Sequence, residues 1–324
     1  MIKIIEEVLN KKIPVLWTNV YGVARSLLAF GTLATLLVHD ADFLFRPLGI
    51  ELYETANNIY LLQWSLFTIL SGEYLELGRW LSIVLLLLVI SGWRPRIMGP
   101  LHWWVSFSFA ASCVIVDGGD QVTAILTLLL LPVCLTDKRK WHWQQPSDTE
   151  LSNIRNRISG FIAASSFWVI RLQVAVIYFV AATAKFSVPE WSNGTALYYW
   201  FLHPIFGLSE WFQPILLPIL IQPIGVTLLT WGVLTLEVIL FAGFFMEIKH
   251  RKKLLIIGML FHLGIVVVHG LFSFFFAMTA ALILYLWPVH QAFKMPSRFK
   301  KATKIVTHKA EHYLPFTFET EKLK

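Results

Sequence analysis

Apolar residues in this chain do not alternate with polar ones. They come in long runs broken by short polar stretches. Runs of near-spanning length fall at about 20–38, 79–92, 100–116, 121–136, 164–184, 225–246, 254–269 and 273–289. A bilayer core of ~30 Å takes about 20 such residues as a helix. Two further apolar pieces, 58–71 and roughly 205–222, sit beside acidic or Pro-rich sequence and read as re-entrant or interfacial. The pattern predicts an all-α polytopic membrane protein: about eight transmembrane helices, one or two re-entrant or interfacial segments, and both termini cytoplasmic. Residues 1–19 form a cytoplasmic N-terminal segment, 20–289 the transmembrane domain and 290–324 a basic tail.

Charge placement orients these runs. Of the 27 Lys and Arg residues, 22 lie in 1–19, 93–99, 137–162, 247–253 and 290–324. With eight crossings these segments share one side, which the positive-inside rule makes cytoplasmic. The opposite loops carry Asp40, Asp42, Glu51, Glu54, Glu73, Glu76, Asp117, Asp120, Glu190 and Glu210 with almost no basic residue. A crossing at 58–71 would move Glu73 and Glu76 inside and break the pattern.

Composition agrees with a membrane body: 56% hydrophobic and 15% charged residues over 324 positions, with mean hydropathy +0.64. That is too little charge to cover a soluble protein. The N-terminus has no continuous apolar core before Pro14, so the first span is expected to be retained. Nucleic-acid binding has no support. The basic tail reads as lying on anionic lipid or as docking a cytoplasmic partner. Many tryptophans stand at span ends, as in an interfacial aromatic belt. Helix rise puts Cys113 and Cys134 roughly 14 Å apart in depth, too far for a disulfide.

Ionisable residues inside spans are costly and need a partner or a cavity. Helix rise sorts them into two layers. The inner layer holds Arg25, Arg171, Glu237 and His262; Arg25, Arg171 and Glu237 read as a structural polar network, with proton relay or cofactor contact as the alternative. The outer layer holds His39, Asp117, Asp120, Lys185 and His269, converging on the extracytoplasmic rim. Lys185 closes the run "YFVAATAKFSVPEW". It reads either as an anchor snorkelling to headgroups or, if desolvated, as a general base. His262 and His269 share a helix face but stand roughly 10 Å apart along it, so together they make no metal site.

Three stretches carry a family resemblance: "PVLWTNVYGVARSLLAFGTLATLL", "IYFVAATAKFSVPEWSNGTALYYW" and "FHLGIVVVHGLFSFFFAM". Over roughly 14–290 the chain resembles HTTM-type membrane proteins related to vitamin K-dependent gamma-carboxylase. More closely, it resembles the sporulation-delaying SdpB group. The carboxylase resemblance implies a lysine base at Lys185 acting on a hydroquinone, here menaquinol. The carboxylases' outer-loop histidine has no counterpart in "VDGGDQVTAIL", where Asp120 is the nearest candidate, and the chain lacks room for their lumenal domain. The implied catalytic set is Lys185, Asp120 and His269, with Tyr178, Trp191 and His262 contacting the cofactor and no metal.

The SdpB resemblance implies a subunit of the bacterial cytoplasmic membrane. It would act with a small SdpA-like partner in post-secretory cleavage of an SdpC-like toxin precursor. Among peptidase signatures, HExxH and GxSxG are absent. A non-catalytic scaffold or immunity-type binder and a quinol-dependent peptide carboxylase are the alternatives. A transporter is disfavoured, because no matched pair of broken spans appears.

Overall fold

The computed structural model describes residues 15–45, 62–144, 154–204 and 206–294. The N-terminal segment before residue 15, the start of the 58–71 piece and the tail from 295 lie outside the described residues. Among the described residues, eight helices of 15 residues or more correspond to the eight apolar runs: α1 (Asn19–Val38), α4 (Leu75–Ser91), α5 (Pro95–Ser112), α6 (Gly118–Thr136), α7 (Ile154–Phe186), α11 (Pro223–Ala242), α12 (Ile248–His269) and α13 (Phe272–Leu286). Short helices fill the numbering between them: α2 (Ala41–Phe45), α3 (Leu66–Ile69), α8 (Pro189–Ser192), α9 (Ala196–Phe201) and α10 (Gln213–Leu220). The protein is an all-α polytopic membrane protein. Among the described residues six helical stretches are long and apolar enough to cross a bilayer, and α13 is a shorter apolar helix.

Local chemistry sets the helix ends. The Thr18 hydroxyl accepts the Val20 amide and caps α1. Asp117 and Asp120 form a capping box on α6. Pro95 and Pro223 open α5 and α11, where a missing N–H costs nothing. Gly92 and Gly270 close α4 and α12 in the left-handed conformation, at φ 87° and 71°.

The middle of the bundle is α13. Every residue from Ala277 to Leu286 is buried, and the helix packs on α1, α6, α7 and α12. An apolar helix covered on all sides belongs at the core rather than against lipid. Its neighbours approach closely: a Cβ on Gly119 of α6 would stand 2.6 Å from the Phe274 Cα.

Both pieces read as non-crossing stay short where they are described. Ser65 ties the first to α5, its hydroxyl 2.5 Å from the Ser112 hydroxyl, while the Leu66 amide donates to the Ser108 hydroxyl. In the second, α10 has eight residues, roughly 12 Å of helix. The excursion from α8 to α10 packs on α11, where the Leu197 amide donates to Thr230. One boundary differs from expectation. The helix α7 runs 33 residues, starting ten positions before its apolar run, because "IRNRISGFIA" continues the helix through polar positions.

The charges segregate to two ends of the bundle. Arg94, Arg96, Lys138, Arg139, Lys140 and Lys252 mark a basic end; Asp40, Glu76, Asp117 and Glu190 mark an acidic end. A latch closes the basic end. Asp137 takes a bidentate ion pair from Arg139, at 2.9 and 2.8 Å, and a short hydrogen bond from the Tyr21 hydroxyl. His142 is buried beside Tyr21 and Trp143. Burial, and then the charges of Arg25 and Arg139, hold the His142 ring neutral, well below the ordinary histidine pKa. Burial alone would lower the Arg139 pKa, but the Asp137 carboxylate outweighs it and raises it.

Candidate functional site

A cavity of about 820 Å³ opens at the acidic end. Phe30, Ala34, Val38, Phe206, Phe272 and Phe276 give it mostly apolar walls, and His39, Asp117, Asp120, His269 and Ser273 supply its polar groups. Four of the five outer-layer residues expected from sequence therefore meet at one cavity. They arrive from the ends of α1, α6 and α12, which the α12–α13 turn and the loop after α9 bring together.

Their hydrogen bonds limit what each can do. Asp117 accepts the Asp120 amide at 3.0 Å and the Ser273 hydroxyl at 2.7 Å; Asp120 accepts the Asp117 amide at 3.2 Å. Both aspartates are engaged in capping α6, and Asp117 also ties α6 to α13. His269 Nδ1 bonds the Phe206 carbonyl. A carbonyl only accepts, so Nδ1 carries the proton, and Nε2 is the ring's acceptor in the neutral form. Serine, histidine and aspartate share this cavity without the wiring of a catalytic triad: the serine bonds the aspartate and the histidine bonds a main-chain carbonyl.

Lys185 does not line that cavity. Its ammonium donates to both oxygens of Glu237, at 2.7 and 3.0 Å, and to the Ala181 carbonyl at 3.2 Å. All three protons have acceptors. The side chain folds back along α7 rather than out to the headgroups, which replaces the anchor reading. Glu237 lies roughly 20 Å along α11 from its acidic end by helix rise. The pair thus joins a residue expected in the outer layer to one expected in the inner layer. A desolvated charge recruits the nearest opposite charge before it recruits water.

The expected polar network of Arg25, Arg171 and Glu237 is accordingly not one network. Glu237 holds Lys185. Arg171 stacks over Trp168 at 4.7 Å and Phe244 at 5.5 Å. Arg25 is fully buried on α1, which packs on α5 and α6. Sequence depth alone gave no lateral neighbours, so charges at similar depth were matched across the wrong helices.

The three residues expected to contact a quinol divide as well. The Tyr178 hydroxyl and His262 Nε2 are 2.9 Å apart and both side chains are buried. Neither lines a described cavity. Trp191 stands over the Lys185 ammonium at 5.4 Å. It also lines a second cavity of about 250 Å³ with Val188, Tyr199 and Trp200. Tyr178, Trp191 and His262 share no described cavity. Trp200 lines both cavities, so an indole wall links the larger one to the neighbourhood of Lys185. Among the described residues no group of three His, Cys, Asp or Glu side chains could hold a metal ion. Cys113 and Cys134 are free and buried.

Sequence reasoning passed over Ser273 and Trp200. Both lie in aromatic-rich stretches where nothing in the spacing separates a wall residue from a lipid-facing one.

Fold and site together define a helical membrane protein with a mostly apolar, polar-rimmed cavity at one end and a lysine–glutamate pair within the span. Two proteins of Bacillus subtilis (strain 168) are similar over most of their length. YitO is 43% identical over 276 residues, 84% of this chain and 86% of YitO. Sporulation-delaying protein SdpB is 36% identical over 279 residues, 86% of this chain and 84% of SdpB. The chain belongs to the SdpB family. No family profile matches it, and no solved structure does.

Proposed function

We propose that this protein is the integral membrane subunit of a post-secretory maturation step in the bacterial cytoplasmic membrane. On this reading it receives an SdpC-like toxin precursor on the outer side and works with a small SdpA-like partner to bring about its cleavage. The observation that carries the proposal is the 820 Å³ cavity at the acidic end. The positive-inside rule turns that end outward, toward a secreted substrate. The walls suit apolar side chains of a peptide, and His269 Nε2 offers an acceptor for a peptide N–H. Similarity to a protein named for delaying sporulation supports the same toxin system.

The test fills the cavity. Ala34→Trp, expressed with the neighbouring partner and precursor genes, should leave the protein at normal level in the membrane and abolish mature peptide in the medium, read by mass spectrometry. Normal mature peptide from that variant overturns the proposal.

The Lys185 geometry favours a second reading of how the protein acts. An ammonium with three acceptors presents no lone pair, so a base at Lys185 would first have to leave Glu237. That supports a scaffold that holds the precursor for a partner's chemistry rather than a carboxylase-like base. A product mass increased by one carboxyl group, in place of a cleaved peptide, would instead establish carboxylation.

A further inference from the structure

More than half of the buried side-chain nitrogens and oxygens without a hydrogen-bond partner, among the described residues, belong to three side chains near the basic end. They are Arg25 Nε, Nη1 and Nη2, His102 Nε2, and His142 Nδ1 and Nε2. Arg25 and His142 are fully buried and His102 is 2% exposed. The three belong together. The helix α1 that carries Arg25 packs on α5, which carries His102, and on α6, which leads into the loop that carries His142. A Cβ on Gly22, one helical turn before Arg25 on α1, would stand 3.0 Å from the His142 ring. Gly99, one turn before His102 on α5, packs on Cys134 of α6.

A buried guanidinium with no acceptor is among the costliest arrangements a protein can hold. The carboxylate of the neighbouring latch, Asp137, is already engaged by Arg139 and Tyr21. Water could fill hydrogen bonds here but could not supply the missing negative charge. Each neutral imidazole has one N–H to give, and arginine has several. The set is donor-rich, closed from solvent and short of one negative charge.

We propose that Arg25, His102 and His142 bind one small monovalent anion of chloride size between α1, α5, α6 and the 137–144 loop. Closure excludes a lipid headgroup or a peptide carboxylate. The anion would brace the helices at the basic end, the opposite end from the peptide cavity.

The test uses the full chain purified in detergent. Chloride or bromide replaces gluconate at constant ionic strength, and the thermal midpoint is followed. The midpoint should rise and saturate with halide, because a ligand bound only by the folded state stabilises it by mass action. His102→Phe should weaken the apparent halide affinity at least tenfold, and Arg25→Gln should remove the effect. Should Arg25→Gln fail to fold, His102→Phe alone decides. Bromide anomalous scattering from crystals should place one peak within reach of Arg25. Absence of a saturable halide effect in the wild-type chain overturns the proposal. So does an equal effect in His102→Phe, which would assign the stabilisation to an adventitious ion elsewhere.

Discussion

Replacing Glu237 with alanine removes both carboxylate oxygens from the Lys185 ammonium and leaves a lysine with one main-chain acceptor. Breaking one side of a buried pair costs about 3–5 kcal/mol in soluble proteins. The Glu237 side chain is 8% exposed and that of Lys185 26% exposed, so about 3 kcal/mol is expected for Lys185→Met, which strands the more buried charge, and about 2 kcal/mol for Glu237→Ala. The double variant Lys185→Met, Glu237→Leu removes both charges and refills the space. It should lie close to Lys185→Met or above it in stability, and with Lys185→Met and Glu237→Leu as the singles of the cycle the coupling is about 2 kcal/mol. Unfolding in mixed micelles with denaturing detergent, run as a double-mutant cycle, measures this. A coupling below about 0.5 kcal/mol, within the range of ordinary interhelical hydrogen bonds in membranes, would refute the pair. The double variant also separates structure from chemistry. If Lys185 serves only to lock α7 to α11, the variant folds and still yields mature peptide. If its amine is required, the variant folds and yields none.

Three further outcomes follow from the geometry. Asp117→Ala removes the cap of α6 and the Ser273 tie, and should cost about 1–2 kcal/mol in detergent unfolding; a neutral result would mean the capping box does not form. Gly119→Ala drives a Cβ into the α13 backbone at Phe274 and should destabilise by about 1–3 kcal/mol, read as a lower thermal midpoint. His142 is neutral when folded and has a pKa near 6.5 when exposed. The unfolded chain therefore binds the extra proton first. Stability should be flat above about pH 6.5 and fall below it, by up to ~1.4 kcal/mol per pH unit, and His142→Asn should flatten that fall.

Much of the fold was legible in the runs. Length and hydropathy located the eight long helices among the described residues, and the acidic and Pro-rich flanks marked two pieces whose described parts form only short helices. The site was legible in part. His39, Asp117, Asp120 and His269 all stand at span ends on one side, so depth alone brought them together. Lys185 also stands at a helix end, but its amine turns back to an acid on another helix, which depth could not show. The centrality of α13 was equally hidden: "FSFFFAMTAALILYL" reads like any other apolar run.

Sequence by itself determined the number and order of apolar runs, the separation of basic from acidic ends, and the inventory of charges that must find partners inside a membrane. The tertiary structure alone decided which helix faces meet. In a soluble helix a polar stripe reveals the buried side. Here lipid-facing and core-facing positions are equally apolar, so the rotation of each helix is set by packing that only the assembled bundle contains. That packing turned Lys185 toward Glu237, buried Arg25 without a counter-charge among the described residues, and left a large cavity between the ends of α1, α6 and α12.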